Sequence, residues 1–384
     1  MGIHYLKMRI GFDLRPYLRE ETGVGVYFKN LLFSLAKIDQ IDEFFLFSSS
    51  WKDRFDIQKV PSFAKMDFLD LRYPVKVINF FWSKLGWPSL DFFFKTKLDL
   101  THSPTPLPLP THGKKIITVY DLFFLEFPEL TNNEARRHFT RRIENSVKNA
   151  DGIVTISHFT ESQLIQRFPV DPKNIKVIYP GIDLENWGNV EQKDLERIKT
   201  NFELPSEFLL FVGAFEPRKN LPNLLLALKI VHERYRKVPL ILVGRKGLDS
   251  DNVQKEIQKL ALDSWVKSLG YMNDKELKYI YRLASAFVFP SLWEGFGIPL
   301  LEAMATGLPI VVSSTSALPE IAQDAAVYTD PSDPEDIATK IIHVLKDQDL
   351  RDKLISEGEK RVRFFSWDKV AAEALDFYQS VGQG

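Results

Sequence analysis

Glu294 and Glu302 stand eight residues apart in Ser291-Leu-Trp-Glu-Gly-Phe-Gly-Ile-Pro-Leu-Leu-Glu-Ala-Met-Ala-Thr-Gly307, directly behind the apolar run Ala286–Phe289. Gly295 and Gly297 permit a tight turn and close backbone approach to a ligand. Pro299 suits the first turn of a helix, whose unpaired amides and positive dipole end favour a phosphate. Glu294, on the loop, can accept hydrogen bonds from sugar hydroxyls, and Glu302 can reach a ribose diol. Taken alone, the same residues also read as a glycine turn with a dipole-favoured Glu.

Gly213-Ala-Phe-Glu-Pro-Arg-Lys-Asn220 ends another apolar run, with Asn220 placed as an N-cap. Arg218 and Lys219 then face the positive end of a helix, a conflict that a bound diphosphate removes. The alternative is two solvated basic residues in a loop. In the N-terminal half, Glu21-Thr-Gly-Val-Gly-Val-Tyr27 follows the first strand and opens a helix, bringing the Gly23 and Gly25 amides toward a phosphate. There is no third glycine and no acid ending a second strand at the right distance, so a nicotinamide oxidoreductase fits poorly.

Lys115–Asp121 reads as a strand ending in Val-Tyr-Asp-Leu. Tyr120 can donate to a sugar hydroxyl, but a phenol with a pKa of about 10 is a poor base at neutral pH. Asp121 either orients an acceptor or turns the chain. His102 ends a further strand and either faces a cleft or satisfies backbone groups. Ser157 either touches an acceptor or caps the helix that follows.

The elements that must position these residues alternate. Strands are expected at Met8–Asp13, Glu43–Ser48, Leu98–His102, Lys115–Tyr120, Gly152–Ile156 and Ile175–Tyr179. A second series follows at Phe208–Gly213, Pro239–Val243, Val266–Leu269, Ala286–Phe289, Pro309–Ser313 and Ala326–Tyr328. Amphipathic stretches between them include Val24–Lys37, Glu134–Asn149, Asn220–Tyr235 and Glu335–Leu345. The alternation predicts parallel sheets with right-handed crossovers in an α/β fold. Tyr179-Pro-Gly-Ile-Asp183 marks a hinge between the series. The domains are therefore expected at 1–181 and 182–365, with a last helix in 366–384. Ligands in such sheets bind beyond the carboxyl ends of the strands.

The 384 residues carry a net charge of −1, which gives no global attraction to nucleic acid. With no cysteine, disulfides, thiolate metal sites and a cysteine nucleophile are excluded. No apolar run approaches the ~18 residues of a spanning helix and no signal peptide is read, so a cytoplasmic location is expected. The segment Asn79–Pro88, followed by Phe92-Phe-Phe-Lys-Thr-Lys97, mixes aromatics with lysine. It either rests on the inner face of a membrane or packs its rings into an interdomain wall.

The two glutamates, the Gly-Phe-Gly-Ile-Pro between them and the downstream Ala-Thr-Gly-Leu-Pro-Ile-Val closely resemble the GT-B glycosyltransferases of family 4, over nearly the whole chain. The resemblance implies two Rossmann-like, doubly wound domains facing a central cleft. The N-terminal domain would bind the acceptor and the C-terminal domain the donor, with the last helix crossing back. It further implies that Glu294 contacts the donor sugar, Glu302 the ribose, and main-chain amides at Phe296, Gly297 and Ile298 the sugar and diphosphate. Arg218 and Lys219 would neutralise the leaving diphosphate without a metal. Loops carrying Gly244, Tyr271 and Met272 would flank the nucleobase, and Gly25 would approach the phosphates. Asp13, Arg15 and Tyr27 share the spacing of bacterial mannosyltransferases and are assigned, with His102 and Ser157, to the acceptor side. Two positions depart from the family pattern: Ala214 stands where many relatives have Arg, and Tyr120 where close relatives have His. The implied reaction is retaining transfer of a hexose from GDP-mannose, or from a UDP-sugar such as UDP-glucose or UDP-GlcNAc. The acceptor would be a glycan or lipid-linked hydroxyl. A degenerate nucleotide-binding subunit is the rival that Tyr120 suggests, and the oligomeric state is left open.

Overall fold

A computed structural model describes residues 7–19, 23–38, 42–131, 140 and 142–383. The chain divides into two compact units. One comprises Met1–Gly181 with Trp367–Gly384, and the other Ile182–Ser366.

The first unit holds a seven-stranded sheet of β1 (Arg9–Asp13), β2 (Glu43–Ser49), β3 (Met66–Leu71), β4 (Leu100–Ser103), β5 (Lys114–Val119), β6 (Gly152–Thr155) and β7 (Ile175–Val177). Its order is β3-β2-β1-β4-β5-β6-β7 and every pairing is parallel. The second unit holds β8 (Leu209–Val212), β9 (Leu240–Val243), β10 (Val266–Gly270), β11 (Ala286–Phe289), β12 (Ile310–Ser313) and β13 (Ala326–Thr329). These run in the order β10-β9-β8-β11-β12-β13, again all parallel. The four residues of β8, β9, β11 and β12 are all buried, as unbroken apolar strands covered on both faces must be.

Both sheets are doubly wound. The strand order reverses between β1 and β4 in one unit and between β8 and β11 in the other, which opens a crevice beyond the carboxyl ends there. The expected strands are present, and β3 is an addition. Its Met66-Asp-Phe-Leu-Asp-Leu71 lies at the sheet edge with no residue fully buried, so its two acids were compatible with pairing. Of the expected helix Glu134–Asn149, residues 134–139 and 141 lie outside the described residues, and Ile143–Asn149 is helical.

In the first unit, the helix Gly23–Ile38 packs on the C-terminal helix Trp367–Gln383. Tyr378 from that last helix meets His102 of β4: Nδ1 lies 2.6 Å from the Tyr378 hydroxyl and Nε2 lies 2.8 Å from Thr118 Oγ1. Burial lowers the imidazole pKa to about 3, so the ring is a neutral core group. Replacing Tyr378 by Phe leaves Nδ1 buried and unpaired. Chemical denaturation should show a loss of about 1–3 kcal/mol, the range for an orphaned buried polar atom.

Candidate functional site

The second unit's switch point gathers the residues with the strongest chemistry. Chain leaving β8 passes Gly213 into a short 3-10 turn, Pro217–Lys219, before the helix Leu221–Arg234. Chain leaving β11 runs into the glycine loop and then the helix Ile298–Ala305. The two loops are tied by Leu292 N, which donates to Arg218 O at 2.8 Å. Asn220 does not cap its helix as expected. It adopts the left-handed conformation with φ 61°, and its Nδ2 donates to Pro290 O at 3.0 Å and Pro331 O at 2.6 Å. Its amide thus fixes the β8 loop to the end of β11.

Between these loops Glu294 accepts two cations. Arg218 Nη1 donates to Oε2 at 2.7 Å and Lys219 Nζ to Oε1 at 2.6 Å. Glu294 and Lys219 are each only 6% exposed, and the Lys219 ammonium also lies 4.6 Å from the Phe289 ring centroid. Glu216, at the exposed rim, accepts Arg218 Nε at 2.9 Å. Burial pushes the Glu294 carboxyl up, but Arg218 and Lys219 together bring it below the ordinary value. Burial lowers the Lys219 pKa against the pull of Glu294. The two shifts favour opposite charge states for one pair. The geometry resolves them in favour of a carboxylate, because one anion gains from two cations while each cation has half an anion. Such a cluster is weak evidence for stability, since taking the charges out of water offsets most of the attraction.

The loop around Glu294 is strained into place. Ser316, at φ 58°, accepts the Glu294 amide on Oγ at 3.0 Å, a left-handed conformation that costs roughly 1–3 kcal/mol. Gly297, at φ 100°, has no room for a side chain: a Cβ would sit 2.9 Å from Leu318 Cδ2. At the start of the helix Ile298–Ala305, the Gly297 and Ile298 amides make no backbone hydrogen bond among the described residues, as the first amides of a helix do not. Phe296 is buried with its ring 5.7 Å from Phe365, so its side chain is structural.

One turn into that helix, Glu302 accepts Tyr281 Oη at 2.7 Å. Burial raises its carboxyl to about 8, partly opposed by the Tyr281 hydrogen bond. Tyr281 is fully buried, edge-on to Trp187 and tilted against Phe287. Sequence reasoning missed it, because a tyrosine on the buried face of an amphipathic helix looks like any core residue. At the ends of β9 and β10, Gly244 N donates to Gly270 O at 2.8 Å, and a Cβ on Gly244 would lie 1.9 Å from Gly213 O. Gly244 is therefore a close-packing residue whose amide is already used. Met272 is buried, whereas Tyr271 is exposed with the Arg245 guanidinium 4.8 Å from its ring centroid.

The first unit's expected acceptor residues are engaged with other groups of the protein. Asp13 is buried and accepts Arg15 Nε at 2.8 Å and Nη2 at 2.7 Å, while Arg15 Nη1 donates to Asn79. His102 spends both ring nitrogens on protein partners. Ser157 caps the helix His158–Arg167 by accepting Thr160 N at 3.1 Å. Tyr27 is buried edge-on to Tyr120 and Trp367. Gly25 lies in the first turn of Gly23–Ile38, with residues 20–22 outside the described residues. Asp121 accepts the Phe123 amide at 3.1 Å, which is the turn role. Tyr120 is half-buried, yet its hydroxyl is enclosed without a hydrogen-bond partner among the described residues. Burial holds its pKa well above 10, so it stays protonated and cannot act as a base.

The Glu302 shift makes a stability prediction. The unfolded chain releases this proton near the ordinary value of 4.5, and the folded protein keeps it to about 8. Between those values the folded state binds more protons, so stability falls as pH rises across the window. Glu302→Gln cannot ionise and still accepts from Tyr281. Its stability should rise relative to the parent from pH 5 to pH 8, by a margin of order a few kcal/mol, and level off above, with the melting temperature following. Parallel melts across that range check it.

Comparison with known proteins agrees with this geometry. Residues 192–361 match the family model for glycosyl transferases group 1, and residues 22–186 match that for glycosyltransferase family 4. The O-antigen chain mannosyltransferase B of Escherichia coli is 28% identical over 97% of this chain and 100% of its own length. Among solved structures, the sucrose-phosphate synthase of Thermosynechococcus elongatus superposes with a TM-score of 0.77 at 19% identity, covering 97% of this chain and 99% of that one. HepE from Anabaena, solved with UDP and glucose, superposes with a TM-score of 0.72 at 16% identity, covering 97% and 100%. With both halves matched and both sheets doubly wound, the chain belongs to the GT-B glycosyltransferases of family 4.

Proposed function

We propose that this glycosyltransferase moves a hexose, with retention, from a nucleotide diphosphate sugar to a hydroxyl of a glycan or lipid-linked acceptor. GDP-mannose is the favoured donor. The observation that carries this reading is the buried Glu294 carboxylate shared by Arg218 and Lys219 at the switch point. In this reading Glu294 holds the two cations at the place where the donor diphosphate would bind. A diphosphate draws the two cations to itself and frees the carboxylate to accept from sugar hydroxyls. The helix-start amides of Gly297 and Ile298 add donors to the phosphates, and Glu302 takes the ribose diol.

In the transfer step the bond from the anomeric carbon to the phosphate oxygen breaks, and its electron pair leaves on that oxygen. The acceptor oxygen bonds to the same face of the carbon, and its proton passes to the departing phosphate oxygen. No protein base is needed, which accommodates a Tyr120 that stays protonated. Arg218 and Lys219 stabilise the leaving charge, the task a divalent metal has elsewhere. The full-length mannosyltransferase relative supports mannose, and the structure of HepE with UDP and glucose supports a UDP-sugar as the alternative donor. A subunit that binds nucleotide without turnover is the second reading, motivated by the enclosed Tyr120 hydroxyl.

Slow release of nucleoside diphosphate from GDP-mannose, UDP-glucose and UDP-GlcNAc separates these readings. The expected outcome is hydrolysis of one donor, with GDP-mannose preferred. No release from any donor, with no donor-specific thermal shift, would leave the enzyme reading without support. Glu294→Gln and Lys219→Met should each lower turnover roughly 10²–10³-fold, the effect of removing one electrostatic stabiliser. Unlike alanine, glutamine at 294 keeps the side-chain shape and an acceptor oxygen for the Arg218 and Lys219 donors, and Lys219→Met leaves Glu294 paired with Arg218. Circular dichroism should be unchanged, and unaltered turnover in both variants would refute the site.

A further inference from the structure

The aromatic and basic stretch after β3 is not absorbed by the donor site. The helix Val75–Leu85 turns Ile78 and Trp82 inward. Arg15, held by Asp13, donates to Asn79 Oδ1 at 2.8 Å and lies 4.6 Å from the Trp82 ring centroid. Trp82 Nε1 donates to Pro88 O at 2.8 Å, tying down the segment beyond the helix. These contacts fix the rotation of the helix. At roughly 100° per residue, the opposite face then carries Phe80 between Lys76 and Lys84, with Val77 and Phe81 along one flank, while Leu85 is exposed as the last residue of the helix.

That face is exposed. Phe80 is 56% and Leu85 66% accessible, and beyond the helix Trp87 and Phe92 pack ring to ring at 5.6 Å while staying 57% and 58% accessible. Eight of the seventeen large exposed apolar side chains among the described residues fall between Tyr73 and Phe92. Scattered singly they would need no explanation, but concentrated in one short segment they mark a contact surface. Its charge has one sign. Between Leu71 and Leu98 stand Arg72, Lys76, Lys84, Lys95 and Lys97, and the sole acid is Asp91. Asp91 is buried and accepts the amides of Leu98 at 3.0 Å and His112 at 3.1 Å.

We propose that this face lies on an anionic lipid surface, with the helix in the plane of the interface. Val77, Phe80, Phe81, Leu85, Trp87 and Phe92 would enter the acyl boundary, and the lysines would reach headgroup phosphates. The helix has eleven residues, about 16 Å, which suits lying on a bilayer and not crossing one. No helix among the described residues is long and apolar enough to cross a membrane. Lysine is suited to this place because its stem packs on apolar neighbours while its ammonium reaches outward. A second copy of the chain is a poorer occupant. A two-fold contact sets the same patch against itself, which brings the lysines of both copies together without a carboxylate from this segment between them.

The test is co-sedimentation of the full chain with vesicles of phosphatidylcholine alone and of phosphatidylcholine mixed with phosphatidylglycerol. The protein should pellet with the mixed vesicles and bind phosphatidylcholine roughly tenfold or more weakly, and added salt should release it. F80S/L85S should weaken binding to the mixed vesicles about tenfold or more. K84E/K95E should remove the preference for the anionic lipid. Both variants change exposed side chains, so their circular dichroism and their donor hydrolysis in lipid-free buffer should match the parent. A failure here is thereby distinct from a failure of the donor reading. The proposal is overturned if the parent does not pellet, or if F80S/L85S pellets as well as the parent. It is equally overturned if the parent elutes as a dimer that F80S/L85S converts to monomer without any lipid binding.

Discussion

One carboxylate shared by two cations organises the second unit. Glu294 alone would not ionise readily in so buried a place, and Lys219 alone would tend to lose its proton. Together with Arg218 they form a charged cluster held in low dielectric by loops from β8 and β11. The arrangement depends on the doubly wound order, because only the reversal between β8 and β11 leaves room beyond the strand ends for both loops. Asn220, Ser316 and Gly297 supply the backbone conformations that aim the loops, and each lies in a left-handed region. The strain sits beside the chemistry, where it holds polar groups in a fixed array before any ligand arrives.

The first unit uses charge differently. Asp13 and Arg15 follow β1 at the corresponding reversal, but Arg15 is committed to Asn79 and the Trp82 ring. The pair therefore anchors the helix Val75–Leu85 and sets which of its faces is exposed. His102, Tyr27 and Ser157 are likewise tied to packing, to the C-terminal helix or to a helix start. Their spacing resembles that of a binding site, and their bonds in this structure are structural.

How much was legible follows from where each residue's partners lie in sequence. Strands such as Leu209–Val212 and Ile310–Ser313 announce themselves as short apolar runs, and the glycine loop and Pro299 lie next to the glutamates they serve. The parallel two-sheet architecture and the donor motif were therefore readable. β3 was not, since Asp67 and Asp70 interrupt its apolar residues and leave it no continuous run. Partnerships across distance were also hidden. His102 meets Tyr378 across 276 residues and Arg15 meets Asn79 across 64, so no local pattern reveals that either is already occupied. Tyr281 escaped for the same reason, as its hydroxyl role exists only once the helix Asp274–Leu283 packs beside Glu302. Asn220 looked like a helix cap because its type and position fit one; tertiary bonds to Pro290 and Pro331 set its conformation instead.

The role proposed for the Arg218–Lys219 pair is to hold the donor diphosphate. Calorimetric titration of a nucleoside diphosphate, its monophosphate and the free nucleoside into the protein tests this most directly, with guanosine and uridine series run in parallel. The account predicts that one series binds, that its diphosphate binds far more tightly than its monophosphate, and that Lys219→Met largely erases the difference. Equal affinity for mono- and diphosphate, or a diphosphate preference that survives in Lys219→Met, would contradict it.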